Sequence, residues 1–330
     1  MSSSTLSSSS SRRATPSPSP SRRSTQPVAL VVGASRGIGR QVAIDLARNG
    51  YAVVVAAKSI TPISILTKLT PFPPDPKSNV STITTVAREI QLMGLEASAF
   101  PVDTTSYSSI QLLISMTIQQ YGRLDVVVYN SGAIWWGPVA TTPMKRFQLM
   151  QRVNVEGLYG VIQEALPHLK KTDKGRIVVV CPPIYNRFFR GKTAYAIGKV
   201  GMSVMVQGLA MDFMREGKDM GIVGIWPAVA IESAATEQFT KKDPMHAREL
   251  RKPEIFSDAI LAMLEAPLEE INGKLELDED FLRKAKGVRD FDQYSVVPGS
   301  RPRRIMPLIL PDLTVAEQDD EGIRTDSSKL

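Results

Sequence analysis

From Val28 onward, short continuous apolar runs alternate with longer stretches in which apolar residues recur every three or four positions. Val28–Val32 is one such run, and it leads into a cluster of glycines. Ile38, Val42 and Leu46 follow at helical spacing until Asn49-Gly50, a pair that ends helices because both residues tolerate the left-handed region. Ala52–Ala57 is the next run, and residues 58–80, with five prolines, predict a long loop. Beyond it the pattern predicts helices over 81–93, 106–121, 142–170 and 193–216, and strands over 97–102, 124–129, 177–181 and 222–226. Runs that are apolar throughout fit strands buried on both faces. Their alternation with amphipathic helices predicts an α/β fold: a single Rossmann-type doubly wound parallel sheet with helices on both faces. This domain is expected over 28–310, between an arm (1–27) and a polar tail (311–330).

The arm is mostly Ser, Pro, Arg and Thr and predicts disorder, since it has almost nothing apolar to bury. Arg12, Arg13, Arg22 and Arg23, with no acid among them, also suit a mitochondrial transit peptide, but Pro16, Pro18 and Pro20 break the helix such a peptide needs. The net charge of the 330 residues is +7, and part of that excess lies in the arm. The domain itself is only mildly basic, which argues against a nucleic-acid partner. No run reaches the roughly 18 apolar residues of a membrane span. The one cysteine, Cys181, rules out an internal disulfide and points to a reducing compartment. His168 and His246 are the only histidines, which leaves no residue set for a His/Cys metal site and almost none for a histidine-based triad.

Chemistry enters at Gly33-Ala-Ser35-Arg36-Gly37-Ile38-Gly39, between the first strand and the first helix. Glycines at that switch allow a tight turn and a close approach of backbone to a pyrophosphate, whose charge the helix N-terminus favours. Tyr195 and Lys199 lie one helical turn apart. A free phenol titrates near pH ~10 and is a poor base, and a neighbouring ammonium would favour its ionised form. Such a tuned tyrosine can move a proton while hydride moves to or from the same carbon.

The glycine turn, Asn130-Ser-Gly132-Ala, Asn154 and Tyr195-x-x-x-Lys199, in that order, resemble the short-chain dehydrogenase/reductases over residues 28–280. Within that family, Ala56-Ala57-Lys58, Pro182-Pro183, Trp226-Pro227 and Phe291-Asp-Gln-Tyr294 look like the hydroxysteroid dehydrogenase-like protein 2 subgroup; the sterol-carrier domain usual there is not expected here. The resemblance implies an oxidoreductase with Tyr195 as acid/base, Lys199 as its tuner and ribose ligand, and Asn154 supporting a relay water. It also implies Asp103 at the adenine, and pairing of copies through the 193–216 helix into a homo-oligomer. Asn130 and Gly132, after the fourth strand, would line the cofactor cleft.

Two departures shape the expectations. The second strand ends Ala56-Ala57-Lys58, without the acid that binds a ribose diol, while Lys58 and Arg36 supply cations for a 2′-phosphate. The expected cofactor is therefore NADP(H). The family's substrate-polarising serine falls at Pro182, which has no donor. Cys181 could substitute, or a displaced loop could bring in Tyr185. Otherwise the chemistry is weakened or lost, leaving a cofactor-binding or lipid-sensing protein. The loops bearing Trp135-Trp136, Phe188-Phe189 and Trp226 fall at strand ends. These aromatics either line a pocket for an apolar carbonyl or alcohol, or pack a core or subunit interface. The chain ends Ser328-Lys329-Leu330, a sequence that an import receptor reads as a peroxisomal address.

Overall fold

The computed structural model describes residues 24–172 and 174–311. Seven strands form one parallel sheet: β1 (Val28–Val32), β2 (Ala52–Ala57), β3 (Ala97–Pro101), β4 (Val126–Tyr129), β5 (Arg176–Val180), β6 (Gly221–Trp226) and β7 (Leu275–Leu277). They lie in the order β3-β2-β1-β4-β5-β6-β7, every neighbouring pair parallel. Order reverses between β1 and β4, where Ala29 pairs with Val126 and Val32 with Tyr129. The crevice at the C-terminal ends of these two strands is where a doubly wound sheet binds ligands.

The continuous apolar runs are explained by two cores. Ala29 and Val31 face one layer, which holds the helices Gly37–Arg48, Ile83–Leu92 and Glu254–Glu265. Val28, Leu30 and Val32 face the other, with Tyr107–Tyr121, Gly157–Leu169 and Thr193–Glu216. Local signals set the helix ends. Thr82 caps its helix through a capping box with Thr85, Ser106 accepts from Ser109 N–H, and Gly122 ends its helix in the left-handed region at φ +70°.

The expected elements form to within a few residues, with three differences. The helical region expected over 142–170 comprises Met144–Gln151, a π turn at Arg152–Glu156 and Gly157–Leu169. The prolines of 58–80 leave room for a four-residue helix, Ile63–Leu66. Ser24–Pro27, expected to be disordered, are tied to the domain: Ser24 N–H donates to the Tyr121 carbonyl at 2.9 Å and Ala52 N–H to the Pro27 carbonyl at 2.9 Å. The rest of the arm and the terminal Ser328-Lys329-Leu330 lie outside the described residues. Among the described residues, no helix is long and apolar enough to cross a membrane.

Candidate active site

The glycine turn lies against the segment that follows β4. Gly33 has φ +90°, and a Cβ there would lie 2.6 Å from Ser131 N. A Cβ on Gly39 would sit 2.2 Å from the Gly33 carbonyl oxygen and 2.6 Å from Asn130 Nδ2. Backbone cannot yield to such contacts, so glycine is required at both positions. Asn130 holds this arrangement by donating from Nδ2 to the Gly33 carbonyl at 3.0 Å.

A cleft of about 390 Å³ opens above the turn. Gly33, Ser35, Arg36, Gly37, Ile38, Asn130, Gly132, Tyr195 and Lys199, nine of the residues assigned to the cofactor from sequence, all line it. Gly39 lies behind them. Lys58 and Asp103 stand apart from the lining and pair with each other at 2.9 Å, with side chains 60% and 40% exposed. Burial works to raise the Asp103 carboxyl, but hydrogen bonds from Lys58 and Thr105 prevail and hold it below its ordinary value. Arg36 donates to Asn79 Oδ1. In this form, then, both cations assigned to a 2′-phosphate have protein partners.

Asn79 belongs to a strap that the sequence presented only as a proline-rich loop. Gly37 N–H donates to the Pro76 carbonyl at 3.1 Å, and Ser81 Oγ to the Ser35 carbonyl at 2.7 Å. Lys77 pairs at 3.0 Å with Glu232, which lies beyond β6. The strap thus joins the glycine turn to the loop whose Ser233, Ala234 and Ala235 complete the cleft wall. Its individual prolines were visible in the sequence, but its path across the turn was not.

Asn154 is fully buried in the π turn, a helix irregularity that is frequent at functional sites. Its Oδ1 accepts from Ala133 N–H at 2.9 Å and its Nδ2 donates to the Ala133 carbonyl at 3.2 Å. The side chain fixes the segment beside Gly132. A Cβ on Gly132 would lie 3.5 Å from both Asn154 Oδ1 and Lys199 Nζ, which places the three residues together.

Lys199 is 3% exposed and donates from Nζ to the Val180 carbonyl at 2.7 Å. Burial lowers its pKa to about 8. Tyr195 is 4% exposed, with Phe188 tilted against it at 6.1 Å between centroids. Burial drives its phenol upward, well above the ordinary value. The protein's own groups, then, do not express the downward tuning expected of an ammonium and a positive nicotinamide ring together. Desolvation of the phenol is the cause.

A second cavity, of about 380 Å³, is lined by Trp136, Tyr185, Phe188, Lys192, Tyr195, Trp226 and the segment Arg304–Pro307. Tyr195 and Trp226 belong to both linings, so the two cavities meet there. Phe188 packs edge-on to Trp226 at 5.5 Å, and Trp136 stacks on Phe239 at 5.8 Å. One aromatic from each of the three loops therefore faces the cavity, while Phe189 packs against the apolar cluster that includes Phe188 and Tyr195, and Trp135 lies under Arg146 at 4.7 Å. The wall formed by 304–307 went unseen in the sequence. It is held by Arg304 on Asp280 at 2.9 and 2.6 Å, and by Ile305 N–H on the Ala228 carbonyl at 2.8 Å.

The structure also narrows the choice left open by Pro182. Cys181 is fully buried in the core, with its pKa pushed up to about 12 by burial, and it lines neither cavity. The Pro182 carbonyl accepts from Ser203 Oγ at 2.6 Å, which commits that hydroxyl elsewhere. Of the two substitutes considered, only Tyr185 lines the cavity with Tyr195.

The short chain dehydrogenase family model matches residues 27–70 and 77–243. The chain belongs to this family. It is 33% identical over 297 residues to the hydroxysteroid dehydrogenase-like protein 2 of Danio rerio, covering 89% of this chain and 65% of the relative. It is 33% identical over 272 residues to that of Homo sapiens, covering 82% and 60%. The chain thus spans somewhat less than two thirds of the length of these relatives. A short chain dehydrogenase from Mycobacterium thermoresistibile shares the fold at a TM-score of 0.71 with 32% identity, covering 84% of this chain and 93% of that one.

Proposed function

We propose that the protein is an NADP(H)-dependent oxidoreductase that interconverts an apolar ketone or aldehyde with its alcohol. The observation that carries this reading is the junction of the two cavities at Tyr195. One has the glycine cradle of a dinucleotide site, with no room for a Cβ at Gly33 or Gly39. The other is lined by aromatics and has the size of a small-molecule pocket.

A nicotinamide held in the cleft by the glycine turn, Asn130 and Lys199 would supply the hydride in reduction and accept it in oxidation. Tyr195 donates its proton to the carbonyl oxygen as the carbon is reduced, so carbonyl, hydride and proton give the alcohol; oxidation reverses each transfer. Lys199 lies beside Gly132 and Asn154, where a ribose hydroxyl can replace the Val180 carbonyl as its partner. Tyr185 supplies the second hydroxyl that Pro182 cannot. Arg36 and Lys58 favour the 2′-phosphate. The exposed apolar residues Ile197, Val204 and Met214 of Thr193–Glu216 support pairing of copies through that helix.

The test is a screen of carbonyls with NADPH and of alcohols with NADP, beside Tyr195→Phe. Tyr195→Phe should abolish turnover and leave NADPH binding nearly intact. Tyr185→Phe should lower kcat about tenfold or more, the loss of one polarising donor. An activity untouched by Tyr195→Phe would remove the tyrosine from the mechanism. A wild type that turns over nothing, yet binds NADPH, would favour a binding protein.

A further inference from the structure

The cavity beside Tyr195 is not uniformly apolar. It presents two cations, and they differ in their engagement. Arg304 is spent on the protein, with Asp280 at 2.9 and 2.6 Å and Glu279 at 3.4 Å. Lys192 has no carboxylate partner among the described residues; its Nζ rests over the Phe188 ring, 4.3 Å from the centroid. The side chain is half-buried, and burial alone lowers its pKa. No acid is found in the lining of the cavity among the described residues. A partly desolvated ammonium over a ring face recovers some of its lost hydration, but less than an anion would return.

We infer that Lys192 anchors a carboxylate on the substrate, so that the substrates preferred by this site are apolar oxo or hydroxy acids rather than neutral ketones and alcohols. The inference rests on the proposed reading of the cavity as the substrate site. The geometry fixes where the charge would lie. Both groups lie against Phe188, whose ring centroid is 4.3 Å from Lys192 Nζ and 6.1 Å from the Tyr195 ring centroid. The carboxylate and the reacting carbon are therefore placed in one cavity on either contact of the same ring, and the apolar chain has Trp136 and Trp226 to lie along. A single lysine ammonium suits a monoanion. A phosphate monoester would call for further donors, and Arg304 is committed elsewhere.

Trp136 and Trp226 line the same cavity and give a readout that needs no turnover. The experiment titrates the full-length protein with decanoate and with decanol, following quenching of tryptophan fluorescence. Lys192→Met, which keeps an apolar stem, and Lys192→Arg, which keeps the charge, are titrated alongside. Wild type should bind decanoate about tenfold more tightly than decanol, the equivalent of one charge-assisted hydrogen bond. Lys192→Met should erase that preference with little change for decanol, and Lys192→Arg should retain most of it. A second arm needs no variant. Raising salt from about 0.05 to about 0.5 M should weaken decanoate several-fold and spare decanol.

Equal wild-type affinity for the two probes would overturn the inference, and so would an equal loss of both in Lys192→Met. Binding and catalysis fail separately here. A decanoate preference that depends on Lys192, in a protein that reduces no carbonyl, keeps the anion site and rejects the oxidoreductase reading. Turnover of neutral ketones with no carboxylate preference does the reverse.

Discussion

Lys58→Ala tests cofactor choice, and the structure changes the size of the effect expected from sequence alone. A charge-assisted hydrogen bond to a phosphate is worth about 1.5–3 kcal/mol. To make it, Lys58 must leave Asp103, its partner at 2.9 Å. With the two side chains 60% and 40% exposed, that pair is a surface ion pair, a class worth about 1 kcal/mol or less. The net loss on Lys58→Ala is then about 1–2 kcal/mol, or roughly 5- to 30-fold in NADPH affinity, with NADH nearly unchanged. Asp103→Asn provides the complementary perturbation. Asp103 Oδ1 also accepts from Thr105 N–H at 2.9 Å and from Thr105 Oγ1 at 2.7 Å, and asparagine keeps an acceptor for both. The substitution removes a negative charge beside the phosphate and frees Lys58, so it should tighten NADPH a few-fold. The assay is a titration of both cofactors by enhancement of reduced-nicotinamide fluorescence, at two ionic strengths. Equal losses for NADPH and NADH in Lys58→Ala would refute the phosphate role. Weaker NADPH binding in Asp103→Asn would show that the acid serves the cofactor and does not compete with it.

Four further outcomes are expected. Pro182→Ser should raise kcat on a simple ketone several-fold, because Cys181 N–H still bonds the Ile225 carbonyl at 3.1 Å and holds the strand end in register; no change would mean that the new hydroxyl points elsewhere. Lys77→Ala should speed NADPH dissociation by about twofold to fivefold in stopped flow, since it opens a partly exposed pair at 3.0 Å between strap and cleft wall; an unchanged off-rate would deny the strap any hold on the cofactor. Asp278, buried with Oδ2 unpartnered and raised to about 7 by burial, binds its proton more tightly folded than unfolded, so its contribution to stability is lost as pH rises from about 4 to about 7. Denaturant titrations of wild type against Asp278→Asn should diverge by up to roughly 4 kcal/mol across that window, and parallel curves would contradict it. Removal of Ser328–Leu330 should shift the full-length chain from peroxisomes to a diffuse distribution, and unchanged localisation would discard the address.

The fold was legible because its strands are buried on both faces, so each apolar run announced itself without reference to its neighbours. The signal failed where burial was partial or the element short. β7 has three residues, of which only Leu277 is buried, and it carries no run to read. The glycine turn, Asn154 and Tyr195-x-x-x-Lys199 were legible for a different reason: each depends on local spacing, and the parallel sheet brings the local motifs to one edge. What the sequence could not show were partnerships made across long separations. Lys58 and Arg36 read as free cations, because nothing local announces Asp103 or Asn79. Arg304 gave no sign that it walls the cavity, because Asp280 and Val229 meet it only through the tertiary fold.

The two prolines at 182–183 illustrate how such partnerships decide chemistry. From sequence, Cys181 in place, or Tyr185 brought in by a displaced loop, were the candidates to replace the expected hydroxyl. Burial separates them. A sulfur sealed in the core, 2.7 Å from where a Cβ on Gly224 would stand, cannot reach a substrate without opening the sheet. Tyr185 needs no such movement, because it already lines the cavity that Tyr195 enters. Pro182 removes a donor from the strand end, and the segment after it turns so that a phenol, Phe188 and Lys192 face the same space. Tyr185 and Lys192 share one cavity with Tyr195, so the substitutions at 185 and 192 should show coupled, non-additive effects on kcat/KM.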